Sequence, residues 1–186
     1  MMNAIARTLS NRARARALKE IQDAEKVVRV EAAKVLASDT AAFVPLRDLL
    51  RTATRPEVRL AIVFALTWQW DMRSWTTFIK ILGDRNEAPA VRAQAAEGLA
   101  YKFNRKRRGA LGHQSAIQAL LAALTDVSPE VRYYAAFALG ASGEKEVIRA
   151  LRKAANDRST SKNFVGSVGD EAMNAVKEIL ARDGSN

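Results

Sequence analysis

The sequence predicts an all-α fold, a right-handed solenoid of about five helix pairs, and three observations predict it. A phrase of Val-Arg followed by an alanine-rich run recurs at Val28-Arg29, Val58-Arg59, Val91-Arg92 and Val131-Arg132, with a degraded copy at Val168-Gly169. These anchors lie 30, 33, 40 and 37 residues apart, the length of a helix-turn-helix unit. Ahead of the anchors stand stretches with apolar residues at helical spacing, closed off by prolines at Pro56, Pro89 and Pro129. A unit of this size cannot bury its apolar face alone, so the copies must stack on one another.

The elements follow in order. Leu18 and Ile21 close the first helix of the first pair, and Phe43, Leu46 and Leu50 mark the next such face. Trp75, Phe78, Ile79 and Leu82 mark the third, and Ile117, Leu120, Leu121 and Leu124 the fourth, at spacing i, i+3, i+4, i+7. Second helices are expected near 27–38, 57–70, 90–103, 130–141 and 168–182. Proline suits their first turn because the amide it lacks has no helical partner there. Ser128 is the expected N-cap of the fourth. Gly83, Gly140 and Gly143 are expected to close helices. The last pair carries a longer polar connection over 159–166 and Gly169 in place of the arginine, which suits a terminal capping repeat. One domain is expected over 1–186, with residues 1–11 as an N-terminal arm or cap, 104–112 as a basic inserted loop and 157–186 as the atypical cap.

The best copy runs Leu124-Thr125-Asp126-Val127-Ser128-Pro129-Glu130-Val131-Arg132-Tyr133-Tyr134-Ala135-Ala136 and, with the others, resembles HEAT repeats over about residues 14–182. More specifically, the copies resemble the short bacterial subfamily first associated with phycobilisome lyases. The resemblance implies that the arginine after each anchor valine pairs with the aspartate of an inter-helix turn. That assigns a structural ladder to Arg29, Arg59, Arg92 and Arg132 with Asp23, Asp84 and Asp126, weaker where Ala53 replaces the acid. It carries little about function, since the fold serves many partners.

Thirty lysines and arginines face twenty acids, a net charge of +10, and the excess is concentrated. Residues 1–20 hold Arg7, Arg12, Arg14, Arg16 and Lys19 against Glu20, and 101–110 hold Lys102, Arg105, Lys106, Arg107 and Arg108 with no acid. The N-terminal stretch also has the composition of a transit peptide, but Leu18, Ile21 and Asp23 align with the ends of the other first helices, so it reads as the opening helix. The basic run at Asn104 to Gly109 accounts for the 40-residue spacing. Cysteine is absent, which removes disulfides, thiolate metal sites and cysteine nucleophiles. No apolar run is long enough to span a bilayer, so no membrane is expected and a cytoplasmic protein is.

Sites for chemistry are missing. His113, the single histidine, reads as a solvated turn residue, and one histidine without cysteine leaves no zinc constellation and no expected metal or cofactor. The His-Glu pairs that hold iron in the deoxyhypusine hydroxylases of this superfamily do not occur. No glycine-rich phosphate loop is present. Bilin lyase-like chemistry, or DNA glycosylase-like chemistry with Trp68, Trp70 and Asp71 lining a cleft, would rest on fold likeness alone.

Binding residues are more legible. At about 100° per residue, Val131, Ala135 and Leu139 share the core arc while Tyr133, Tyr134 and Phe137 share the opposite one. Leu60, Ala61 and Phe64 take the equivalent places in the second repeat, Trp68 extends the row by one turn, and Tyr101 lies at the Trp68-equivalent place in the third. Glu31, Lys34, Gln94, Glu97, Asp170, Glu171 and Asn174 surround them as a polar rim. The expectation is a monomeric, non-enzymatic scaffold that binds a protein on this concave aromatic face, as an adaptor, assembly factor or antitoxin-like inhibitor. Arg105, Lys106, Arg107 and Arg108 would steer an acidic partner. The competing expectation is nucleic-acid or other polyanion binding through that loop and the N-terminus.

Overall fold

The computed structural model describes residues 7–69, 71, 73–103 and 112–183. Its regular elements are helices: α1 Asn11–Glu20, α2 Lys26–Ala37, α3 Phe43–Thr52, α4 Pro56–Trp68, α5 Ser74–Gly83, α6 Pro89–Phe103, α7 His113–Ala123, α8 Pro129–Ser142, α9 Ile148–Ala154 and α10 Val168–Asp183, with a 3₁₀ turn at Lys145–Val147 before α9. Pro56 and Pro129 occupy the first turns of α4 and α8, and α6 begins on Pro89. The helices gather into two compact units, residues 1–74 and 75–186.

In the first unit α1 packs on α2, α3 on α4, and α2 on α4. Ile21, Leu36, Leu46, Ile62 and Leu66 are fully buried, each contributing about 1.5–3 kcal/mol through removal from water. A polar lock holds α1 to the end of α2. The Asp39 carboxylate, buried, accepts from Arg14 Nε at 2.5 Å and from the backbone amides of Leu9 and Ala41 at 3.1 Å each. Burial by itself would raise its pKa, but the Arg14 guanidinium and the two amides outweigh it and hold the carboxyl below its ordinary value. Arg14 is therefore a structural cation, and part of the N-terminal charge excess is neutralised within the fold.

In the second unit α7 packs on α8, α9 on α10, and α8 lies between α6 and α10. Trp75 of α5 meets Phe103 of α6 edge-on at 5.0 Å. Val131, Ala135 and Leu139 are fully buried, as the arc of α8 predicts. Gly140 does not close a helix; α8 continues to Ser142 and Gly143, at φ 69°, forms the cap. Gly140 is instead the point where α10 comes closest, since a Cβ there would stand 2.8 Å from Ala175 Cβ and 2.9 Å from its Cα.

The inter-helix turns share one construction. Each anchor arginine donates to carbonyls of its own turn: Arg29 to Asp23 and Ala24, Arg59 to Leu50 and Ala53, Arg92 to Glu87, Arg132 to Asp126 and Val127. The turn aspartates receive amides two residues on, Asp23 from Glu25, Asp84 from Asn86, Asp126 from Ser128 and Asp157 from Ser159. Ser128 thus sits at the N-cap position without making a side-chain cap bond. Within the second unit the arginines also reach forward, to the aspartate of the following pair. Arg92 donates to Asp126 at 2.8 Å and Arg132 to Asp157 at 2.6 Å. The Arg132 hydrogen bond holds the Asp157 carboxyl down to about 2, against a smaller opposing effect of burial.

Gly169, where the ladder arginine is missing, does the arginine's work through its backbone. Its amide donates directly to the Asp157 carbonyl at 2.8 Å. The approach leaves no room for a side chain, because a Cβ would lie 2.4 Å from the Ala155 carbonyl oxygen.

Candidate functional site

The three stacked second helices α6, α8 and α10 bring Tyr101, Tyr133, Tyr134 and Phe137 into one aromatic patch. Tyr101 and Phe137 meet edge-on at 6.5 Å, and Tyr133 and Tyr134 at 5.4 Å. All four are half-buried, neither packed in the core nor standing fully in water. Leu60, Phe64 and Trp68, in the other unit, are also half-buried, with Phe64 and Trp68 edge-on at 6.3 Å.

Carboxylates border the patch in the second unit. Glu97 of α6 accepts from Gln94 at 2.5 Å and lies near Tyr101 and Tyr134; Glu171 of α10 lies beside the Tyr133 hydroxyl. Burial raises the pKa of both acids, opposed at Glu97 by Gln94 and at Glu171 by Tyr133. The same partly desolvated, negative surroundings push Tyr133 up to about 12, first through burial and then through Glu171. Tyr101 and Tyr134 rise for the same reasons, burial ahead of Glu97.

A residue outside the helical pattern completes one edge. Phe164, in the polar connection between α9 and α10, stacks on Tyr133 with centroids 4.2 Å apart and planes 19° apart. Ser161 and Asn163 of that connection donate to Glu130 of α8. The connection therefore borders the aromatic patch and covers one face of Tyr133, whereas its composition alone suggests only a chain end.

Two expectations about polar residues need correction. His113 is buried as the first residue of α7, its Nε2 2.9 Å from Glu144, its ring stacked with Trp75 at 6.5 Å and edge-on to Phe103 at 5.2 Å. It ties the start of α7 to the end of α8, and no solvent-facing turn is involved. Lys102, counted with the basic stretch, is fully buried at the end of α6. Arg105, Lys106, Arg107 and Arg108, and also Trp70, lie outside the described residues.

Among the described residues no group of three or more histidines and carboxylates is placed to hold a metal ion, and no helix is long and apolar enough to cross a membrane. A family model described as HEAT repeats matches residues 43–126 and residues 76–163. No curated protein matches the chain.

Proposed function

The chain belongs to the HEAT-repeat family, and from that premise we propose that it is a non-enzymatic scaffold of five HEAT-like pairs that holds a protein partner on the α6–α8–α10 face. HEAT repeats commonly work as protein-interaction scaffolds. The observation that carries the proposal is the clustering of Tyr101, Tyr134 and Phe137, half-buried and outside the core, on the side of α8 opposite its buried Val131, Ala135 and Leu139. Contiguous exposed aromatic surface marks binding sites, and tyrosine is enriched among the residues that dominate interface energies. Leu60, Phe64 and Trp68 form a second set of contact residues in this proposal, and the role is that of an adaptor, an assembly factor or an antitoxin-like inhibitor.

The test is partner capture from an extract of the native host by wild type and by a Tyr134→Ala/Phe137→Ala variant, with circular dichroism and melting temperature as controls. Loss of at least about tenfold in the specifically retained protein is expected, since central aromatic residues cost about 2 kcal/mol or more when truncated. Undiminished capture by a folded variant removes the face from consideration.

A further inference from the structure

The charge beside the patch specifies what docks there. Glu97 and Glu171 are each half-buried, yet among the described residues neither is paired with an arginine or lysine. Of the neighbouring acids, Glu178 has a cation, Arg182 at 3.5 Å, whereas Glu130 accepts from the neutral donors Ser161 and Asn163 and lies under the connection that carries them. A partly desolvated carboxylate without a counter-charge is unfavourable, and the molecule elsewhere supplies arginines to such groups, as at Asp39 and Asp126. Glu97, hydrogen-bonded to Gln94, and Glu171, hydrogen-bonded to Tyr133 and Asn174, flank rings whose faces attract cations. Guanidinium suits the arrangement better than ammonium, because it is planar, stacks on aromatic rings and forks toward carboxylate oxygens.

We propose that the face formed by Glu97, Tyr101, Tyr134, Phe137 and Glu171 docks an arginine-bearing segment of the partner protein, with guanidinium stacked on tyrosine and paired to the two carboxylates. The sign is opposite to the acidic partner that the net charge and the basic run of the sequence suggest. The raised carboxyl pKa values at Glu97 and Glu171 fit a site whose counter-charge arrives with the ligand. This deepens the scaffold function proposed above and rests on it.

The experiment measures fluorescence anisotropy of labelled peptides with the full chain at physiological ionic strength: alternating glycine–arginine, glycine–lysine and glycine–glutamate. The arginine peptide is expected to bind tightest, and Glu97→Gln/Glu171→Gln, which keeps side-chain shape, to weaken it at least about tenfold. No binding of the arginine peptide, equal binding by the Gln variant, equal binding of the lysine peptide, or preference for the glutamate peptide would each overturn the inference. Capture from extract separates the two levels. If the aromatic variant loses the host partner and the Gln variant does not, only the arginine assignment fails; if neither loses it, the face itself fails.

Discussion

Asp126→Ala is expected to destabilise the second unit by about 3–5 kcal/mol, the range for removing one partner of a buried ion pair. Asp126 and Arg92 have side chains only 2% and 3% exposed, with Arg92 Nη2 2.8 Å from the carboxylate. Without Asp126, Arg92 loses the carboxylate it pairs with, while among the described residues its Nε already has no hydrogen-bond acceptor. Arg85, 59% exposed, adds less to the pair because water screens it. The Ser128 amide also loses its acceptor, which weakens the start of α8. Asp126→Asn keeps an oxygen in place and is expected to cost less. Adding Arg92→Met to Asp126→Ala is expected to recover part of the loss, because the uncompensated charge goes with it. Urea unfolding measures all three; an alanine variant within about 0.5 kcal/mol of wild type, the scale of a neutral surface change, would show that the ladder contributes little.

Gly169→Val is expected to undock α10, at about 3 kcal/mol or more, the upper part of the range for overpacking. The obstruction is backbone, with Ala155 and Asp157 carbonyl oxygens 2.4 and 2.9 Å from where a Cβ would be, so no side-chain rotation relieves it. The helix must move away, breaking the Gly169–Asp157 bond and separating Glu171 from Tyr133. Hydrogen exchange localises the effect. Amides of α10 should lose protection well before those of α6, and uniform loss or no loss would contradict the close approach.

Much of the helix pattern was legible because its signals are local. Pro56, Pro89 and Pro129 lie within one residue of the expected helix starts, and the buried faces at Phe43, Leu46 and Leu50 or at Val131, Ala135 and Leu139 follow from period alone. What was not legible depends on approaches between distant segments. Gly140 resembles a helix-ending glycine as much as Gly143 does, and only the proximity of α10 distinguishes them. Asp39 looks like an ordinary turn acid because its partner, Arg14, lies 25 residues earlier. Asp157 lies 11 residues ahead of the degraded anchor Val168 where Asp23 and Asp126 lie 5 ahead of theirs, Phe164 sits in a polar stretch without period, and His113 has Gln114 and Ser115 as neighbours, which disguises its burial. The aromatic residues of α6 and α8 were visible by helical phase. Glu97 and Glu171 read as a rim, and that no lysine or arginine among the described residues pairs with them required three dimensions.

The most direct measurement places the photo-crosslinking residue benzoylphenylalanine at Phe137 and, separately, at Val127, which is 86% exposed in the turn before α8 and away from the helix face. Irradiated in native extract, the Phe137 position should form a discrete adduct with the captured partner and the Val127 position should not. An adduct at Val127 with none at Phe137 would contradict the assignment of the α6–α8–α10 face.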